Sequence, residues 1–385
     1  MRWVAGVALT AAVLVGAAPA AHAGPAGCPG QGSPPPPAAA EEGAGAPALP
    51  VPAEPVGGPR LGTCGDLVAG GAPVPPEVGV AAFVVADLDS GAVLAVRAPH
   101  ARHRPASTIK VLTALVALRD LDPDLVVDGT AEDLRIEGSR AGIGPGGRYT
   151  VRLLLEGMLL NSGNDTAAAL ARALGGDAAA VAAMARTAAA AGALDTRPVT
   201  PSGLDGPGAA TSAYDLALLF RMALRDPLFA ATIRTRSVAF PGYADMPGFE
   251  LSNSSRFLTG YPGALGGKTG FTDAARHTFV GAAERDGRRL VVALVRGEQS
   301  PVPMTAQTAA LLDLGFALPA DVAPLGMLVD AAPAAATASP AEPTTAPPEP
   351  APATPPRPGS PPGLAVGAIT AVALVALVLL ARRPR

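Results

Sequence analysis

An α+β domain is predicted for the middle of this 385-residue chain. Three observations carry that prediction. Short apolar strands stand at both ends of the middle region, a helix-rich block fills 150–224 between them, and the flanking segments are too rich in Pro, Ala and Gly to add a core. Twelve prolines fall in 1–60 and twelve in 331–363, leaving 18 for 61–330, so the middle is where the chain can pack. Strands at both ends of a helical block suggest one sheet shared by the terminal strands.

The elements follow in order. Ala81–Asp87 and Val93–Arg97 flank Asp89-Ser90-Gly91 and read as a β-hairpin. A helix begins near Ser107, with Ile109, Val111, Leu112, Leu115, Val116 and Leu118 apolar. Thr150 is a candidate cap for Val151–Leu160, and Asp177 for an Ala-rich helix ending near Gly192. Ser212-x-x-Asp215 starts a helix through Arg225 in the manner of a capping box. Strands return at His277–Glu284 and Arg289–Arg296 around Arg285-Asp286-Gly287, a second hairpin. A final helix runs from about Pro303 to Phe316.

The two ends read as targeting segments. Met1-Arg2, the apolar run Val4–Ala18 and Ala21-His22-Ala23 have the charge, core and cleavage pattern of a secretory signal, assigned to 1–23. Residues 364–381 carry no charge, span ~27 Å as a helix, and are followed by Arg382, Arg383 and Arg385. Positive charge stays cytoplasmic. The expectation is a single-pass membrane helix with a cytoplasmic tail at 382–385 and everything from 24 to 363 outside. Residues 24–64 are expected to be a disordered arm, 65–320 the folded domain and 321–363 a Pro-rich linker. Cys28 and Cys64 are a candidate disulfide in an oxidising compartment. The formal net charge of -3 gives no argument for nucleic acid, and the scattered histidines predict no metal.

Of 29 basic residues only two are lysines, Lys110 and Lys268. Lys can be deprotonated when buried, whereas Arg cannot. Ser107 and Lys110 are three apart at a helix start, so they share a face. A neutral amine there can take the Ser hydroxyl proton. Ser-x-x-Lys alone is a weak signal, since a surface Ser with a solvated Lys has the same spacing, and so is Lys268-Thr269-Gly270. Between them stands Ser162-Gly163-Asn164, 55 residues after Ser107 and 106 before Lys268. The three together, in this order in a secreted chain, are a specific constellation.

On these motifs, and on stretches such as 104–118, 162–171, 200–219 and 266–294, the chain resembles the low-molecular-mass penicillin-binding proteins. These are the serine-type D-alanyl-D-alanine carboxypeptidases, and the match runs over roughly 70–318. The resemblance implies a β-lactamase/transpeptidase-like fold: an antiparallel sheet flanked by helices, plus a helical subdomain. It implies removal of the terminal D-alanine from peptidoglycan stem peptides, acylation by β-lactams and no cofactor. Ser107 is implied as nucleophile, Lys110 as general base and Ser162 as proton relay to the leaving amine. Asn164 is implied to hold the substrate backbone, Lys268 and Thr269 the terminal carboxylate. Gly270 lets substrate approach, and the N–H groups of Ser107 and Phe271 form the oxyanion hole. Two departures stand out: no second β-rich domain follows the core, and Gly266-Gly267 precede Lys268 where an apolar residue is common. A D,D-endopeptidase is chemically close. A β-lactamase is a rival that lacks a suitable Glu near Thr200–Asp205, and a silent wall-binding protein is the non-enzyme alternative.

Overall fold

The computed structural model describes residues 28–37 and 46–333. The signal segment, most of the linker, the membrane helix and the tail lie outside the described residues. Among the described residues no single helix is long and apolar enough to cross a membrane.

In chain order, β1 (Asp66–Val68), β2 (Ala82–Asp87) and β3 (Ala92–Arg97) precede α1 (Lys110–Asp120). A short ribbon of β4 (Val126–Asp128) and β5 (Arg148–Thr150) leads to α2 (Val151–Leu160), α3 (Asn164–Ala173) and α4 (Asp177–Ala191). Next come α5 (Ala213–Ala223), α6 (Pro227–Arg234) and a second ribbon, β6 (Ser237–Phe240) with β7 (Phe249–Ser252). The chain then forms α7 (Arg256–Gly260), β8 (Ala264–Thr272), β9 (Arg276–Arg285), β10 (Arg288–Gly297), α8 (Met304–Ala317) and β11 (Gly326–Met327).

The main sheet has the order β1-β3-β2-β10-β9-β8, with β11 also paired to β3, and every pairing is antiparallel. The terminal strands do share one sheet: Val85 of β2 sits opposite Val292 of β10. Val84, Val85 and Ala86, like Val291, Val292 and Ala293, are all fully buried. Successive strand residues point to opposite faces, so both faces of these strands are covered. Helices α5 and α8 pack on them, with Gly315 of α8 close against Leu290 and Val85. A fully buried Leu or Val contributes about 1.5–3 kcal/mol, so this double coverage makes the middle of the sheet a rigid platform. The β9–β10 turn puts Asp286 and Gly287 at φ 51° and 77°, the pattern of a type I′ hairpin.

The caps expected at Thr150 and Ser212 form, while other local details differ from the sequence expectation. The Thr150 hydroxyl caps α2 by accepting from the Leu153 amide at 3.2 Å. Asp177 is the first helical residue of α4, with Gly176 in the cap position. Ser212 caps α5 by accepting from the Asp215 amide at 3.1 Å. The Asp215 carboxylate does not return the bond; it accepts from the Asp195 amide and the Thr196 hydroxyl. Ser107 lies in a 3₁₀ turn, Ala106–Ile109, just before α1.

The domain boundaries also need correction. Residues 28–37 and 46–64 are not a disordered arm but a strap packed on the domain, closed by a disulfide between Cys28 and Cys64. Two apolar side chains, Val56 and Leu61, bury in the core, and polar bonds hold the rest. The fully buried Arg102 guanidinium donates to the carbonyls of Gly32, Leu49 and Pro50 at 2.6–3.0 Å. Closing a loop of this length contributes about 4 kcal/mol in the chain-entropy model. At the other end, β11 pairs with β3, Leu325 and Leu328 are buried, and Asp330 pairs with Arg221 at 2.7 Å. The folded unit therefore continues past 320 as far as the structure is described.

Candidate active site

The site forms where the turn before α1, the α2–α3 connection, the 200–204 loop and the edge strand β8 converge. In a 3₁₀ turn residues i and i+3 eclipse, which aligns Ser107 with Lys110 more closely than an α-helix start would. Lys110 Nζ lies 2.8 Å from Ser107 Oγ and donates to Asn164 Oδ1 at 2.7 Å and the Ser202 carbonyl at 2.5 Å. Lys110 is fully buried. Desolvation, and then the positive charge of Lys268, push its pKa well below the usual lysine value; the Asp165 carboxylate opposes them. A neutral amine has two N–H donors and one lone pair. Asn164 Oδ1 and the Ser202 carbonyl can only accept, so they take both N–H groups and leave the lone pair for the Ser107 O–H. The three contacts therefore suit a base aimed at Ser107.

Each partner is itself held. Asn164, first residue of α3, donates from Nδ2 to the Glu137 carbonyl at 2.7 Å. Its neighbour Asp165 accepts from the amides of Ala141, Gly142 and Ile143, fixing the loop that follows Glu137. Thr113 of α1 donates to the Pro201 carbonyl at 2.7 Å, and the Gly203 amide donates to Thr200 Oγ1 at 3.0 Å. These bonds hold the Ser202 carbonyl over Lys110. Gly203 must be Gly: a Cβ there would lie 2.0 Å from the Ala106 carbonyl oxygen. Ala106 has φ 47°, which for a non-glycine residue costs on the order of 1–3 kcal/mol and persists only when its surroundings fix it.

Strand β8 supplies the opposite wall. Lys268 is buried, its pKa lowered to about 7 by desolvation, and its Nζ donates to the Thr269 carbonyl at 2.8 Å. Gly270 sits where a Cβ would lie 2.9 Å from the Ser107 amide nitrogen and 2.3 Å from Thr278 Oγ1. The glycine thus brings the β8 backbone against the nucleophile turn, and Thr278 ties the two by donating to the Pro105 carbonyl at 2.9 Å. The Gly266-Gly267 departure has a packing reason. Gly266, at φ 109°, would drive a Cβ to 2.5 Å from the Ile233 carbonyl of α6, and one on Gly267 would meet the Phe279 ring at 2.6 Å.

The structure brings Ser107, Lys110 and Asn164 into one hydrogen-bonded group and sets Gly270 against it. Ser162 stands on the α2–α3 turn at φ 61°, and its hydroxyl makes no hydrogen bond among the described residues. The Thr269 and Phe271 side chains are exposed. Sequence reasoning missed the Ser202 carbonyl, which no side chain announces, and the role of Asp165, for which the acid directly after Asn164 was the available signal.

A cavity of about 240 Å³ opens beside Thr269 and Gly270, bordered also by His277, Gln299, Thr305 and Arg256. Burial pushes the pKa of His277 down. Arg276 is engaged by Glu298 at 2.8 and 2.9 Å. Arg256 has no acidic partner among the described residues.

Comparisons with known proteins agree with this geometry. A family model described as D-alanyl-D-alanine carboxypeptidase matches residues 70–299. The chain is similar to the D-alanyl-D-alanine carboxypeptidase DacB2 of Mycobacterium tuberculosis, with 48% identity over 254 residues, covering 65% of this chain and 86% of the relative. A crystal structure of a D-alanyl-D-alanine carboxypeptidase from Mycobacterium tuberculosis superposes with a TM-score of 0.64 at 46% identity, covering 68% of this chain and 98% of that one. The Streptomyces K15 DD-transpeptidase, at 24% identity and a TM-score of 0.60, shares the fold over 64% of this chain and all of its own. With the family model spanning more than half of the sequence, the chain belongs to the D-alanyl-D-alanine carboxypeptidase family.

Proposed function

We propose that the chain removes the terminal D-alanine of peptidoglycan stem peptides through an acyl-enzyme on Ser107. The observation that carries the reading is the Lys110 amine, buried, held by two carbonyls and 2.8 Å from Ser107 Oγ. Neutral Lys110 takes the hydroxyl proton as Oγ attacks the penultimate D-Ala carbonyl. The resulting oxyanion is stabilised by the Ser107 and Phe271 amides, and such donors are worth about 2.7–4 kcal/mol each. Ser162 passes a proton to the departing D-alanine amine. Water activated by Lys110 then releases the trimmed peptide. Lys268 and Thr269 hold the terminal carboxylate.

The Cys28–Cys64 disulfide favours an oxidising, extracytoplasmic location, with the leader at 1–23 and the 364–381 helix supplying export and membrane attachment. β-Lactams acylate the same serine as substrate mimics. Mass spectrometry after penicillin treatment tests the reading: a persistent one-to-one adduct on Ser107 supports it. Rapid penicilloate release with no D-alanine release from peptide would instead mark a β-lactamase.

A further inference from the structure

We propose that Arg102, gripped by the disulfide-closed strap, is a positioning residue for the nucleophile turn. The inference rests on Ser107 being the nucleophile. Arg102 lies five residues before Ser107 and is fully buried. Its Nε donates to Asp195 Oδ1 at 2.9 Å, its Nη atoms donate to the strap carbonyls of Gly32, Leu49 and Pro50, and its own amide donates to the Gly30 carbonyl at 2.8 Å. Asp195 also binds His100 Nδ1 at 2.8 Å, and His100 Nε2 meets the strap carbonyl of Val56 at 3.0 Å. The strap therefore holds the start of this segment from two side chains, and the disulfide closes the strap on itself.

From Arg102 to Ser107 the chain has no slack. His103 exchanges both backbone hydrogen bonds with Thr211 at 2.8 Å. Arg104 Nη1 donates to the Gly206 carbonyl at 3.1 Å. The Pro105 carbonyl accepts from Thr278 Oγ1 at 2.9 Å and Thr108 Oγ1 at 2.6 Å. Ala106 then takes its positive φ. A strained residue keeps that conformation only while both sides of it are fixed. Gly203, packed on the Ala106 carbonyl, fixes the downstream side; upstream, Thr278 holds the Pro105 carbonyl and Arg102 anchors the start of the segment. Freeing Arg102 lets the turn relax, which moves Ser107 Oγ away from Lys110 Nζ. None of these strap contacts reaches Lys268 or Thr269, so carboxylate binding is left as it was.

The test compares Arg102→Ala, Arg102→Lys and the double variant Cys28→Ser/Cys64→Ser with wild type in the full chain. Each is measured below its own melting temperature for the rate constant of acylation by fluorescent penicillin, for kcat and KM of D-alanine release, and for Tm. The double variant retains Arg102 and reads the strap alone, so the question is decided even if Arg102→Ala does not fold. Arg97→Ala is the stability control, because it removes the 2.6 Å ion pair with Asp66 on the same strand edge without touching the segment. We expect acylation and kcat to fall by about 10- to 100-fold, the scale of a misplacement near 1 Å, with KM little changed and Arg102→Lys partly restored. A folded Arg102 or cysteine variant with lowered Tm and wild-type acylation would overturn the proposal. Loss of D-alanine release by wild type itself would instead overturn the functional reading on which it rests.

Discussion

Replacing Gly270 by Ala probes the site at its tightest contact. The new methyl would lie 2.3 Å from Thr278 Oγ1, 2.9 Å from the Ser107 amide nitrogen and 3.0 Å from Ala106 Cβ. The backbone at Gly270 is not left-handed, so the whole effect is steric. Thr278 can rotate away, giving up its bond to the Pro105 carbonyl. The Ser107 amide cannot retreat without moving the nucleophile. Overpacking of this kind costs about 1–3 kcal/mol of stability. Loss of one oxyanion donor costs roughly 100- to 1000-fold in kcat, about 2.7–4 kcal/mol. Activity therefore falls further than stability does. Stopped-flow acylation by penicillin, D-alanine release and Tm measure the three quantities. Adding Thr278→Ala removes the 2.3 Å contact but leaves the 2.9 Å one, so the double variant regains stability and stays slow. Wild-type acylation in Gly270→Ala would refute the reasoning, as would full rescue by the second substitution.

Other expectations follow from the same contacts. Lys110→Arg keeps a long nitrogen-bearing side chain but cannot deprotonate, so acylation drops by about 100- to 10,000-fold, the usual value of a general base; retained acylation would remove Lys110 from that role. Lys268, lowered to about 7, binds a carboxylate only while protonated. The kcat/KM for a carboxylate-terminated peptide should therefore fall as pH rises through about 7, and Lys268→Arg should move that limb upward; a limb unchanged in the variant counts against it.

The sequence was most readable where burial and turn chemistry act locally. The apolar runs of β2, β3, β9 and β10 and the Asp-Gly turn gave the hairpins within a residue or two. The Ser-x-x-Lys, Ser-x-Asn and Lys-Thr-Gly residues announced themselves because side chains carry that chemistry. Strand β8 was harder to see, because Gly266, Gly267 and Gly270 are there for close approach and erase the alternation that marks a strand. The Ser202 carbonyl was invisible, since every residue has one and only the fold decides which faces Lys110. The strap read as disorder because only two of its apolar residues, Val56 and Leu61, reach the core, and a buried arginine from the domain and one disulfide supply the rest of its order.

The most direct measurement is D-alanine release from a peptide ending in D-Ala-D-Ala by the exported portion and by its Ser107→Ala variant. The account predicts release by the first, none by the second, and the same fold in both. Release that survives in Ser107→Ala, or its absence from a folded wild-type enzyme, would contradict it.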